Sequence, residues 1–375
     1  MINIKYVTNV RMPTPRAQGY AIMKMCSEFT KAGAVVELFI PRRSSTDSQK
    51  NPFDFYKIEK NFKIKKIPSF DLLGKTFKFG KILYWVDILS FLIMSKLVVR
   101  PKAGDIIYTR DFMTALVFSR KHFLCLELHD IPTSKILFRW LIKKPKLFFV
   151  LNNNLKGDLM KMGVDPSAIH ISPSGVDISD FDTGISKEDA RIKVGLEGYG
   201  RIVLYSGQLY PWKGADILAQ AAFLMPQTNF LFLGGIDPEL SKFKDKYGKA
   251  TNIKVLPFQE RGMVPLYLKA ADVLVLPNSS KEKISVRYTS PLKLFEYMAS
   301  KRPIVASDLP SIREVVTEKE CAFAQANNPK SFSDAIQKIF SDQRFSEEIV
   351  ANAFSKAQKY SWGKRAENIL NCIMK

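Results

Sequence analysis

The chain is poor in the residues that build metal centres and disulfide frameworks. It has four cysteines in 375 residues, Cys26, Cys125, Cys321 and Cys372, and no two share a pairing interval. That excludes a zinc ribbon and a disulfide scaffold, and it fits a reducing cytoplasm. Histidine is scarcer still, with only His122, His129 and His170. Met1 leads straight into the strand-like IKYVTNV, so a secretory leader is not expected. Long apolar runs are missing too. The nearest, residues 82–99, carries Asp87 and Lys96, so a helix under a sheet or lying on a bilayer is expected rather than a span. The G-x-G-x-x-G fingerprint is absent, which argues against a dinucleotide site. Acid is in deficit: 36 Asp and Glu stand against 57 Lys and Arg, a formal charge of +21. Through Asp180 there are 29 basic and 15 acidic residues, so the first half holds most of the excess. Such a half asks for an anionic partner: nucleic acid, a membrane surface or a phosphorylated substrate. Plain solubility is the bland alternative. The positive runs, however, lie beside aromatic and apolar residues, as at membrane interfaces.

What is present is a repeated unit. The length favours two domains, and the 46% hydrophobic content suffices for two cores. Residues 3–8 read as a strand, 9–18 as a loop, and Gly19 opens a helix with Ile22, Met25, Cys26 and Phe29 on its apolar face. Residues 35–40 form the next strand. This is the first step of a parallel sheet. Residues 41–70 are basic and loosely patterned, either a lysine-guarded strand edge or an anionic acceptor surface. Strands at 105–110 and 123–128 deliver Arg110, Asp111, Glu127, His129 and Asp130 to their carboxyl ends, where ligands bind in open parallel sheets. A turn cluster at 172–177 marks a hinge. The unit then begins afresh: strand 201–206, loop 207–214, helix 215–224. The expected domains are 1–172, 173–358 and a closing helix at 359–375.

Residues 288–314 read YTSPLKLFEYMASKRPIVASDLPSIRE. Ser290 and Pro291 look like a helix start, a hydroxyl cap followed by a first-turn proline. Leu292, Phe295 and Met298 or Ala299 recur at helical spacing and imply one buried face. Lys301-Arg302-Pro303 ends the helix, and 304–306 is a short strand. A loop feeding a capped helix offers N–H groups to phosphate. Glu296, a turn deeper, can accept two hydrogen bonds from a sugar diol. In the loop 207–214, Gly207 gives backbone room and Lys213 a compact cation for a departing diphosphate. A solvent-facing lysine before a helix is the plain alternative for Lys213, and a satisfied structural residue is that for His129.

The 288–314 segment resembles the signature region of the family 4 retaining glycosyltransferases of GT-B type, in which two glutamates are separated by seven residues and followed by a small-residue strand. The resemblance covers nearly the full chain and is strongest over 201–314. It implies an α/β fold of GT-B type, two Rossmann-like doubly wound domains facing across a cleft. Glu296 falls at the second glutamate, which in the family holds the nucleotide ribose. Tyr288 stands at the first, so the usual contact to the donor hexose departs from the pattern. The S-P-x-K-x-x-E-Y-M-A form resembles a variant in bacterial members. The run 13–20 resembles the family's first loop, with Gly19 where the backbone approaches the donor phosphates. The ELHD run places His129 at the family's histidine contacting donor sugar and phosphates. Residues 172–177 resemble its inter-domain N-G-V-D loop. Gln208 stands where the family has an arginine and Lys213 where it has a lysine, so Lys293 is the candidate replacement cation. Phe258 falls where the family packs the base, and Ser290 and Leu292 complete the donor-binding set. The helix from Trp362 resembles the family's last helix, which crosses back to the first domain.

The activity this resemblance implies is transfer of a sugar from a nucleoside diphosphate, UDP or GDP, to an acceptor hydroxyl. It implies retained configuration, the leaving phosphate as base, His129 and Lys213 as the catalytic pair, and neither metal nor further cofactor. No carboxylate pair is placed as in a glycosidase. The implied setting is synthesis of bacterial cell-surface polysaccharide or lipopolysaccharide, on a glycan or lipid-linked acceptor, in the cytoplasm or peripherally on the inner membrane face. Two other classes compete. A non-catalytic GT-B subunit serving a partner glycosyltransferase would accommodate Gln208 and Tyr288. A nucleic-acid binder rests on charge alone and shows no recognition motif.

Overall fold

The computed structural model describes residues 2–43, 50–72, 80–118, 121–132 and 135–375. Part of the basic 41–70 stretch, residues 44–49, lies outside them. The chain divides into two compact units. The first comprises Met1–Pro173 with Trp362–Lys375, and the second Ser174–Ser361.

In the first unit seven strands form one sheet: β1 (Asn3–Val7), β2 (Val35–Pro41), β3 (Lys63–Ile67), β4 (Asp105–Thr109), β5 (Phe123–Leu128), β6 (Leu147–Val150) and β7 (Ile169–Ile171). Their order is β3-β2-β1-β4-β5-β6-β7, and every pairing is parallel. Parallel pairing requires a crossover each time, which is why strands alternate with helices. The lysine-rich 57–66 stretch resolves into the edge strand β3, with Lys63, Lys65 and Lys66 exposed. That is how natural sheets guard an open edge. The helix Gly80–Val98 packs against β3. Its inner side, Asp87, Ile88, Phe91, Leu92 and Ser95, is buried, whereas Ile82, Trp85, Leu89, Ile93 and Leu97 are exposed. No helix among the described residues is long and apolar enough to cross a membrane. The closing helix Trp362–Met374 packs on the helix Ala17–Lys31, with Trp362 edge-on to Tyr20 at 6.3 Å.

In the second unit six strands follow the order β10-β9-β8-β11-β12-β13, again parallel throughout. They are β8 (Ile202–Ser206), β9 (Asn229–Leu233), β10 (Ile253–Leu256), β11 (Val273–Leu276), β12 (Ile304–Ser307) and β13 (Ala322–Ala324). Successive strand residues point to opposite faces, so each strand feeds two cores. Ile202, Leu204, Leu274 and Leu276 enter one, while Val203, Tyr205, Val273 and Val275 enter the other. A strand buried on both faces reads as an unbroken apolar run, as IVLY and VLVL do here.

The structure corrects three expectations. The first helix starts at Ala17, and Gly19 lies inside it. Ser290 does not cap the helix Leu292–Ala299, whose N-cap position is Pro291 without a side-chain hydrogen bond. Its Oγ instead accepts from the Ser174 N–H at 3.1 Å, and its carbonyl accepts from Ser174 Oγ at 2.7 Å. That helix also has more than one buried face. Every residue from Lys293 to Ala299 is buried, because the helix lies between β11 and the helix Gln343–Ala357.

Candidate functional site

The carboxyl ends of β8, β9 and β11 meet backbone to backbone in the second unit. Gly207 has φ +130°, a conformation that side chains rarely tolerate. Gly214 has φ +72°, and a Cβ there would sit 1.7 Å from the Pro277 carbonyl oxygen just beyond β11. Between them the turn Pro211–Lys213 leads into the helix Ala215–Ala222. This close approach fixes where Lys213 emerges.

Two lysines converge on this loop. Lys213 is half-buried, with Nζ 5.2 Å from the Trp212 ring centroid and 5.8 Å from that of Tyr210. Burial lowers its pKa to about 8. Lys293, from the second position of the helix Leu292–Ala299, is buried with Nζ 4.0 Å from the Tyr205 ring centroid. A Cβ on Gly207 would be 3.8 Å from that Nζ. Among the described residues the Lys293 ammonium has no hydrogen-bond partner. Burial, and then the charge of Lys213, push its pKa well below the ordinary lysine value. A buried unpartnered cation is costly, so these two side chains form a site short of negative charge. The neighbouring Gln208 also buries an Oε1 with no partner there, while its carbonyl accepts from Tyr205 OH at 2.6 Å.

One turn beyond Lys293, Glu296 is buried and accepts from Arg261 Nη1 at 2.6 Å. Arg261 comes from the turn Arg261–Met263 after β10, and nothing in its local sequence marks it. Phe258, just past β10, is exposed rather than packed into the core. Tyr288 ends the turn Ile284–Tyr288 and is buried, with Lys283 Nζ 5.0 Å from its ring centroid. Leu292 is half-buried at the start of its helix.

His129 and Gly19 lie in the first unit. Just past β5, His129 Nε2 lies 2.7 Å from the buried Glu127 Oε1, and Arg110 Nη2 lies 2.6 Å from Nε2 and 3.0 Å from Nδ1. Burial, then the positive charge of Arg110, lowers the His129 pKa to about 4, so the ring is neutral at pH 7. Burial opposes ionisation of Glu127, yet Arg365, Arg110 and His129 hold its pKa well below the usual range. Arg365 reaches Glu127 from the closing helix at 3.1 Å and also donates to the Pro173 carbonyl at 2.8 Å. Gly19 is needed for packing: a Cβ there would lie 2.1 Å from Tyr56 OH. That phenol donates to the Thr14 carbonyl and accepts from the Thr14 N–H, fixing the loop before the helix.

Residues 186–356 match the family model described as Glycosyl transferases group 1. The second unit belongs to the glycosyl transferases group 1. Among curated relatives, a D-inositol 3-phosphate glycosyltransferase of Jonesia denitrificans is 23% identical over 223 residues, 55% of this chain and 51% of that protein. A UDP-Gal:alpha-D-GlcNAc-diphosphoundecaprenol alpha-1,3-galactosyltransferase of Escherichia coli is 27% identical over 286 residues, covering 68% and 71%. The chain thus spans about half the length of the first of these relatives. Among solved structures, a sucrose-phosphate synthase from Thermosynechococcus elongatus aligns with TM-score 0.80 at 17% identity, over 100% of this chain and 98% of that one. Anabaena HepE in complex with UDP-glucose aligns with TM-score 0.75 at 16% identity over 100% of both chains. Identities this low establish the fold, which is GT-B with a Rossmann-like α/β unit in each half.

Within the group 1 unit the structure brings together Gly207, Gln208, Lys213 and Lys293, with Glu296 one helical turn from Lys293. Phe258 stands at the end of β10, beside the turn that carries Arg261. Sequence reasoning missed Arg261 and Arg365. The first is an unremarkable loop residue and the second lies on a closing helix, so each gains meaning only from its carboxylate partner.

Proposed function

We propose that this chain transfers a glycosyl group from a nucleoside diphosphate sugar to an acceptor hydroxyl. The observation that carries it is the Lys213–Lys293 pair, two buried or half-buried cations without an ion-pair partner among the described residues, beside Gly207. In the reaction the bond from the anomeric carbon to the diphosphate oxygen breaks, and its electrons leave with the diphosphate. The acceptor oxygen bonds to that carbon, and its proton passes to the departing phosphate. Charge grows on the diphosphate as the bond breaks, so cations placed there stabilise the transition state more than the ground state. Glu296 accepts from the ribose hydroxyls, and Arg261 orients it. His129, neutral and held by Glu127 and Arg110, presents a hydrogen bond to the sugar.

The finer reading is a UDP-sugar donor, retained configuration, charge compensation by lysine instead of a metal ion, and an acceptor bound by the first unit. The E. coli relative is named for UDP-Gal and a diphosphoundecaprenol-linked acceptor, and the Anabaena structure holds UDP-glucose. These support a lipid-linked or phosphorylated acceptor in surface-polysaccharide synthesis, met at the inner face of the membrane. Glu296→Ala and Lys213→Ala should each abolish transfer while the chain stays folded. Normal transfer by either would remove that residue from the site. A thermal-shift panel of UDP-, GDP- and ADP-sugars identifies the base.

A second reading, a non-catalytic subunit, draws on Gln208 in place of a cation and on the burial of Tyr288. Donor hydrolysis or transfer by the purified chain would exclude it.

A further inference from the structure

The helix Gly80–Val98 is apolar on both sides, which is unusual for a helix at a protein surface. Its inner side is anchored. Asp87 Oδ1 accepts from the Leu72 N–H at 3.0 Å, and Ile88, Phe91 and Leu92 are buried. Its outer side carries Ile82, Trp85, Leu89, Ile93 and Leu97, each more than half exposed. Their spacing of three, four, four and four residues keeps them on one stripe, about 22 Å long at 1.5 Å per residue. Phe70 extends it: its N–H donates to Ser90 Oγ, and its ring is exposed. Scattered exposed apolar residues need no explanation, but a continuous stripe does.

Charge decides among occupants. The helix packs on edge strand β3, whose Lys63, Lys65 and Lys66 are exposed, and Lys96, Arg100 and Lys102 are exposed at its far end. The first 180 residues carry nearly twice as many basic as acidic side chains. A second copy would set one cationic half against another. An anionic bilayer offers negative headgroups to the lysines and acyl chains to the stripe, with Tyr84 and Trp85 suited to the boundary.

We infer that the outer face of the helix Gly80–Val98, flanked by the lysines of β3, is an interfacial docking surface for anionic phospholipid. The helix lies in the headgroup plane and does not span. This goes beyond the proposed transfer activity and does not rest on it, since binding is read without donor or acceptor.

The test is co-sedimentation of the full chain with phosphatidylglycerol vesicles, and with phosphatidylcholine vesicles for comparison, at physiological salt. The chain should sediment with the anionic vesicles and far less with the neutral ones. Leu89→Glu/Ile93→Glu should weaken binding at least tenfold. Lys63→Glu/Lys66→Glu should weaken it on phosphatidylglycerol alone. All four side chains are exposed or half-exposed to solvent, so melting temperatures should hold, and donor binding in the second unit should be unchanged. The inference fails if the chain stays in the supernatant, or if Leu89→Glu/Ile93→Glu sediments like the parent. It also fails if the chain is a solution dimer that this double variant makes monomeric, because a second copy then covers the face.

Discussion

Lys293 is the residue at which stability and function pull apart. Its ammonium is buried over an aromatic ring without a hydrogen-bond partner among the described residues, and its pKa is driven down by burial and by Lys213. Removing an uncompensated buried charge relieves its desolvation cost. Lys293→Met should therefore raise the melting temperature of the ligand-free protein while weakening UDP binding tenfold or more. Paired melts with and without UDP check this, and a lower ligand-free melting temperature would contradict it. Lys213 gives a pH signature. Its folded pKa is about 8, against 10.5 for an ordinary lysine, so the unfolded chain binds the extra proton between those values. Stability from this group therefore rises with pH across that window. Under the proposed contact of Lys213 with the diphosphate, affinity moves the other way, because that contact uses the ammonium. The UDP dissociation constant should climb above pH 8, by about tenfold at pH 9, in calorimetric titrations across pH. The sequence singled out Lys213 and His129 as candidates because each follows a strand beside turn residues, and Glu296 because the 288–314 segment carries a family resemblance. The partners that tune them were not legible in it. Arg261 sits 35 residues from Glu296 in sequence, and only the folded chain joins them.

At the level of elements, the alternation of strand and helix was readable because doubly buried strands leave unbroken Val, Ile, Leu and Phe runs. The short β13 (AFA) offered no such run and went unread. The hydroxyl of Ser290 looked like a cap, but the Ser174 N–H competes for it and wins. Two substitutions probe how elements hold the site. Gly214→Ala would force a Cβ onto the Pro277 carbonyl from a positive-φ position, so the loop must move. Donor binding should be lost even though no ligand-facing side chain has changed, as a thermal-shift titration with UDP would show. Tyr297 OH accepts from the buried Ser206 N–H at 2.9 Å, tying the helix Leu292–Ala299 to the end of β8. Tyr297→Phe leaves that N–H without its acceptor and should cost about 1–3 kcal/mol, measured by denaturant unfolding. A change within error would mean that the helix is held by packing alone.

At the scale of the molecule, the first unit is built from two separated stretches of chain. The helix Trp362–Met374 supplies it with a buried indole and with the Arg365 guanidinium that neutralises Glu127. Trp362→Ala should cost about 3–5 kcal/mol, as large aromatic truncations in cores do. The loss should fall on the first unit, so hydrogen exchange should quicken at β1, β4 and β5 before it does at β8 and β11.

That discontinuity also sets an order of events during synthesis. The second unit, Ser174–Ser361, is uninterrupted in the chain, so it can fold as soon as it clears the ribosome. The earlier-made strands must wait for their last helix to be translated, with a charged glutamate and an aromatic-sized gap still open. The half made first is thus left incomplete until the helix Trp362–Met374 joins it.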